Sequence, residues 1–266
     1  MDRDILKNMK PSEFRKLVRE GKWTDVTRDV CQGYAQANLV ILPKEYAFDF
    51  LLFCQRNPRP CPVIEATEIG VPSFSQVASE ADVRTDVPLY RVIKNGEIID
   101  EPTDIKKYWI EGEFVSFLLG CSNSFILALK NSNISWRSYG AYRSNIPCKP
   151  AGRLHGHMAV TVNAFSKTKD AVRAIQITSR HLLTHGAPIF IGNPSEIGID
   201  NLGQPDSFHP YRPKIDPPKK DELLMFWGCG VTPQIVALES KIPFMITHSP
   251  NHMFVTDKLA EELAVF

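Results

Sequence analysis

The stretch "FWGCGVTPQ" (residues 226–234) sets one cysteine between two glycines, ahead of Thr-Pro and a helix-forming run. Three chemistries fit Cys229: a thiolate nucleophile, a metal ligand, or a small side chain at a tight strand-to-helix turn. Gly228 and Gly230 permit positive φ and close backbone approach. Thr232 suits the N-cap and Pro233 the first turn of the helix that follows. Such a helix start presents free N–H groups and positive potential to a carboxylate. A nucleophilic cysteine would also need a histidine to generate its thiolate.

"HSPNHMFVTD" (residues 248–257) supplies two imidazoles, His248 and His252. An H-x₃-H spacing chelates a metal when it lies on a helix, but Pro250 between them favours a loop. In a loop each imidazole can act singly as general acid or base near neutral pH. "GRLHGH" (residues 152–157) adds Arg153, His155 and His157; strand alternation puts both histidines on one side, solvent-facing by default. "GCSNSF" (residues 120–125) resembles an anion nest, with Ser122 or Ser124 open to a substrate oxygen. Its plainer reading is a helix break capped by Ser122. No GxSxG, Walker or GxGxxG motif occurs, so a hydrolase elbow, a P-loop and a dinucleotide fingerprint are unsupported.

The elements that must carry these residues can be read from periodicity. "PSEFRKLVREG" predicts a surface helix, "ANLVILP" a strand, and "KEYAFDFLLFCQRN" a helix ended by Pro58. "CPVIEAT" predicts a further strand, and "VPLYRVIKNGEIID" a hairpin turning at Asn95-Gly96. Residues 111–131 carry a helical pattern broken at Gly120-Cys121, and "HMAVTVNAF" is another strand. From Lys169 onward short apolar strands alternate with helices, the last helix starting from Asp257 as N-cap. Such alternation indicates a mostly parallel sheet with helices on both faces. The expected fold is therefore α/β: a three-layer domain from residues 1–73 plus 153–266, with a smaller α+β unit inserted at 74–152. Ligands of open α/β sheets gather outside the carboxyl ends of the strands. Three such ends are rich in glycine and polar groups: 192–202, which contains Asn193, 228–234 and 248–257. "HPYRPKIDPPKK", from His209 to Lys220, is expected as a Pro-rich surface loop.

Composition limits the function. The chain has 266 residues, 43% hydrophobic and 23% charged, with a net charge of +1. That is enough chain for a sizeable core, and the scattered basic residues do not form a nucleic-acid footprint. No run approaches the ~20 apolar residues of a membrane span, and residues 1–10 lack a signal-peptide core. The six cysteines are dispersed without a CxxC pair, as expected for buried thiols in a reducing, cytoplasmic setting without structural zinc.

Seven blocks, "YAQANLVILP", "RTDVPLYRV", "GCSNSF", "YRSNIPC", "HGAPIFIGNPSEIGI", "FWGCGVTPQ" and "THSPNHMFVTD", follow in the order seen in the D-glutamate cyclase family. The resemblance runs from about Tyr34 to Asp257 and includes bacterial proteins described as hydro-lyases. It implies a two-part α/β structure and the dehydration of D-glutamate to 5-oxo-D-proline. Vertebrate members are mitochondrial, carry a targeting segment and continue into a second domain; this chain resembles the stand-alone form.

Cyclisation joins the substrate amine to its own γ-carboxyl carbon, and folding the substrate back supplies proximity. N–H donors at Gly230–Thr232 would stabilise the oxyanion, which favours a donor turn over a nucleophilic Cys229, since intramolecular attack needs no covalent intermediate. The expected site therefore has His248 or His252 moving the proton with Asp257 behind it, and Gly230 and Thr232 at the oxyanion. Arg143 or Arg153, with Arg84 and Arg91 as weaker candidates, would clamp the α-carboxylate. Ser122, Ser124, Asn193 and Cys229 would complete the substrate contacts. No cofactor or metal is expected; the partner is a small amino-dicarboxylate, with no nucleic acid or membrane, and a homo-oligomer is left open. Two rival readings are a non-catalytic sensor of an acidic metabolite and a metal-dependent hydrolase built on His248, His252 and Asp257.

Overall fold

The computed structural model describes residues 3–205 and 216–265, so the expected Pro-rich loop lies outside the described residues up to position 215. Eleven strands and six α-helices form among them. The first sheet takes β1 (Tyr34–Pro43), β2 (Val63–Ala66), β3 (Tyr90–Lys94), β4 (Glu97–Asp100), β5 (Phe114–Gly120), β10 (Phe244–His248) and β11 (Phe254–Leu259). The second takes β6 (Arg137–Pro147), β7 (His157–Phe165), β8 (Phe190–Ile191) and β9 (Leu223–Gly228). The helices are α1 (Arg3–Lys7), α2 (Pro11–Arg19), α3 (Ala47–Arg56), α4 (Asn123–Asn131), α5 (Thr168–Thr178) and α6 (Thr232–Glu239).

Every strand pairing in both sheets is antiparallel, which corrects the expected mostly parallel sheet. The alternation of strand and helix is real, but α6 carries the chain from β9 in one sheet to β10 in the other. Parallel neighbours need a crossover that returns to the same sheet. Residues 74–152, expected as an inserted unit, supply β3, β4 and β5 to the first sheet and β6 to the second.

The Asn95-Gly96 hairpin forms, with both residues at positive φ (52° and 81°), as a two-residue turn requires. The pattern at 111–131 resolves into β5 followed by α4. Seven buried residues in a row have no period of their own to separate a strand from a helix. Asp257 likewise lies inside β11, and only a 3₁₀ turn, Ala260–Leu263, follows it.

The main core lies between the sheets. Val40 and Leu42 of β1, Phe117 and Leu119 of β5, Val160 and Val162 of β7 and Phe226 of β9 pack there with Phe50 and Phe53 of α3. On the other face of the second sheet, Phe165, Met225 and Trp227 pack under Phe125 and Leu129 of α4 and Ala171 and Ala174 of α5. Alternation along β1 turns Asn38 to the side of Val40 and Leu42, whereas Leu39 and Ile41 face the opposite cluster.

Candidate active site

Two strand-to-helix junctions meet at one cleft of about 100 Å³: β5 into α4 at Cys121–Asn123, and β9 into α6 at Cys229–Val231. Asn38, Thr161, Asn163, His185 and Asn251 complete much of its polar wall, and Arg28 stands at its exposed side. No Asp or Glu lies among the described wall residues, and Arg28 is the one with a fixed charge. Two helix starts and a guanidinium around an acid-free cavity set a positive potential for an anion.

The β9–α6 turn is braced from below. The Cys229 N–H donates to the Ala159 carbonyl at 2.9 Å, and the Thr232 N–H donates to the Cys229 carbonyl at 3.0 Å. Thr232 Oγ1 donates to the same carbonyl at 2.7 Å and accepts from the Ala159 N–H at 3.0 Å. Thr232 is thus the first helical residue, with Val231 in the capping position, and its hydroxyl is spent on the backbone. The N–H groups of Gly230 and Val231 donate to no protein acceptor among the described residues. They are the donors this turn leaves for a ligand.

Neither Gly228 nor Gly230 has positive φ; close approach is what requires them. A Cβ on Gly228 would stand 2.9 Å from the Arg59 and Pro60 backbone, and one on Gly230 would stand 1.9 Å from Asn38 Nδ2. Asn38 is 2% exposed and donates from Nδ2 to the Gly120 carbonyl at 2.7 Å and the Leu119 carbonyl at 3.4 Å. Those carbonyls can only accept, so the amide orientation is set and Oδ1 is left as an acceptor at the cleft wall.

His185 follows a 3₁₀ turn, Leu182–Thr184, in the left-handed conformation at φ 86°. It is 1% exposed, and its Nδ1 lies 2.7 Å from the Arg59 carbonyl oxygen. A carbonyl only accepts, so the proton sits on Nδ1 and Nε2 keeps its lone pair. Burial pushes the His185 imidazole down to about 4, against a smaller upward pull from the Arg59 carbonyl. It is neutral at physiological pH. Nε2 is not among the sealed, unpartnered polar atoms of the interior, whereas Thr161 Oγ1, another wall residue, is.

Several expected residues stand elsewhere. His248 is buried, with Nδ1 3.2 Å from the Leu39 backbone nitrogen, and it is not a wall residue. His252 directs Nδ1 to the Pro250 carbonyl at 2.9 Å, and burial lowers its pKa. Their loop instead sends Asn251 and Met253 to the cleft. Asp257 makes a two-pronged ion pair with Arg15, at 3.0 and 2.9 Å, so that guanidinium rather than an imidazole is its partner. Among the described residues no three His, Cys, Asp or Glu side chains gather as metal ligands.

The expected arginine clamp is likewise displaced. Arg143 pairs with Glu239 at 3.2 Å, and Arg153 lies over the Tyr46 ring at 5.5 Å. Arg84 pairs with Asp82 and Arg91 with Glu101. His157 also pairs with Glu239. Asn193 accepts from the Ser195 N–H and caps a 3₁₀ turn outside the cleft. Ser124 accepts from the Gln36 N–H at 3.3 Å, tying α4 to β1, whereas Ser122, Cys229 and Gly230 line the cleft. Sequence reasoning missed Arg28, Asn38, His185 and Asn251. Asn38 carried a signal, as the single amide in the apolar run "ANLVILP". His185 carried none, because nothing local distinguishes it from a turn histidine.

The fold is thus a layered α/β chain with an acid-free cleft between two helix starts. A model of the family described as D-glutamate cyclase matches residues 115–257. "Putative hydro-lyase YcsI" of Bacillus subtilis is 48% identical over 97% of this chain and 100% of its own length. A Geobacillus kaustophilus protein with the same hydro-lyase description is 49% identical, over 97% of each chain. The chain belongs to the D-glutamate cyclase family. A nitrogen repressor-like protein from Methanococcus jannaschii aligns at a TM-score of 0.40 with 8% identity, over 94% of this chain and 99% of that one, a likeness too low to carry an argument. No helix among the described residues is long and apolar enough to cross a membrane.

Proposed function

We propose that this chain is a hydro-lyase that closes D-glutamate to 5-oxo-D-proline with loss of water. The observation that carries the reading is the acid-free cleft between the starts of α4 and α6, with Arg28 at its exposed side. It suits a substrate with two carboxylates, and family membership supplies the reaction class.

The chemistry assigns tasks to groups already at the wall. One carboxylate meets the α4 start at Ser122 and Asn123. The γ-carboxyl meets the Gly230 and Val231 N–H groups, where the oxyanion of the tetrahedral intermediate develops. Asn38 Oδ1 accepts a hydrogen from the substrate ammonium. Glutamate carries one net negative charge before the reaction and 5-oxoproline carries one after it. Two ammonium protons leave nitrogen, and the same number leave on the expelled oxygen as water.

Incubating the purified protein with each glutamate enantiomer and following 5-oxoproline by chromatography tests the proposal. Turnover of the D form at a rate well above the uncatalysed one is expected. Tight binding of glutamate with no product would make the chain a sensor of an acidic metabolite instead.

A further inference from the structure

We infer that His185 is the proton carrier of this reaction, its Nε2 taking protons from the substrate ammonium and returning them to the departing oxygen. The inference rests on the reaction proposed above.

The ammonium must first lose a proton before nitrogen can attack the γ-carboxyl carbon. The N–C bond then forms as electrons move onto oxygen. A second proton leaves nitrogen as the tetrahedral intermediate collapses, the C–O bond breaks and water departs. Protons lost at nitrogen equal those gained at oxygen, so a single group reaching both atoms balances the step without any co-reactant. Substrate closed into a five-membered ring brings both atoms to one side.

The walls offer few alternatives. Among the described wall residues the titratable groups are Arg28, Cys121, His185 and Cys229. A guanidinium has no lone pair to offer. Burial pushes the Cys121 thiol up to about 11, so it stays protonated. Cys229 packs among Ala141, Ala159, Val231 and Ile235. The imidazole is the wall group with a lone pair ready at neutral pH. Arg59 also lies near it, with Nη1 3.5 Å from the His185 carbonyl oxygen, on the backbone side.

The position is built for one tautomer. A left-handed residue other than glycine is strained, and such strain collects at functional sites. Here it turns the ring so that Nδ1–H reaches the Arg59 carbonyl. That bond commits Nε2 to the acceptor role. Without substrate the imidazole is a weak base; the carboxylates of bound glutamate favour its protonated form and raise its basicity toward working pH.

Replacing His185 in the full chain tests this. His185→Asn suits the left-handed conformation and keeps an N–H within reach of the Arg59 carbonyl, while removing Nε2. Its kcat for D-glutamate should fall by about 10²–10⁴-fold, with KM and affinity for 5-oxo-D-proline within about threefold of wild type and an unchanged urea midpoint at pH 7. Imidazole added to His185→Gly should restore part of the rate. An active wild type with a His185→Asn kcat within threefold of it overturns the inference alone. A wild type that converts neither enantiomer overturns the reaction and the inference together. Should the variants fail to fold, ¹⁵N resonances of wild-type histidines decide. The Nε2 signal of His185 must move when 5-oxo-D-proline is added, and a stationary signal overturns the inference.

Discussion

Gly230→Ala should damage the protein through Asn38 rather than through the turn itself. The added Cβ would stand 1.9 Å from Asn38 Nδ2 and 2.3 Å from its Cγ, and ordinary contact begins near 3.4 Å. The carboxamide must therefore retreat by about 1.5 Å, which breaks its 2.7 Å bond to the Gly120 carbonyl. Overpacking a tight interior costs about 1–3 kcal/mol. Leaving a buried acceptor unpaired costs about 1–3 kcal/mol more, so Gly230→Ala should lose about 2–6 kcal/mol. Asn38→Ala forfeits the same hydrogen bond but makes room for the methyl group. The double variant should then be little worse than Asn38→Ala, giving a relieving interaction nearly as large as the Gly230→Ala loss itself, about 2–6 kcal/mol. Urea unfolding of all four proteins at pH 7 measures it, with unchanged m-values as the check on two-state behaviour. Additivity within about 0.5 kcal/mol would refute the account, because it would mean that methyl and carboxamide do not meet.

Burial holds the folded His185 imidazole near 4, below its ordinary 6.5. As pH falls the unfolded chain therefore binds the proton first, and stability present above 6.5 is lost as pH drops toward 4. That difference is worth about 3 kcal/mol. Urea unfolding at pH 7 and 4.5 should show wild type losing more stability than His185→Asn, and parallel losses would contradict the buried neutral ring. Cys229→Ala should keep measurable turnover and lose about 1 kcal/mol, since the thiol packs among small apolar side chains and the cyclisation needs no acyl-enzyme. A trapped thioester, or complete inactivity in a folded variant, would count against this. Arg28→Gln should raise KM for D-glutamate about tenfold and leave kcat within twofold, as expected for uniform binding of an anion. Steady-state kinetics at low and high salt check it, and a loss confined to kcat would move Arg28 from binding to chemistry.

Much of the site's raw material was legible along the chain. The "GCGVTPQ" turn, the polar "GCSNSF" segment and the Asn95-Gly96 hairpin are local features, set by which residues tolerate a turn, start a helix or approach another backbone. Short apolar runs such as Leu39–Leu42 announced strands for the same reason: burial on both faces leaves a continuous apolar signature. What lies beyond local reach is which strand accepts which neighbour. Hydrophobic periodicity records that a face is covered and carries no record of what covers it, so the chain's alternation read as parallel while α6 in fact changes sheets. The site followed the same division. His248 and His252 are adjacent in sequence to the right kind of loop, yet their rings bond the backbone of Leu39 and Pro250. Asn38, His185 and Gly230 stand 45 residues or more apart along the chain. They share one wall because β1, the turn after α5 and the β9–α6 junction pack together, and only complementarity between distant surfaces decides that.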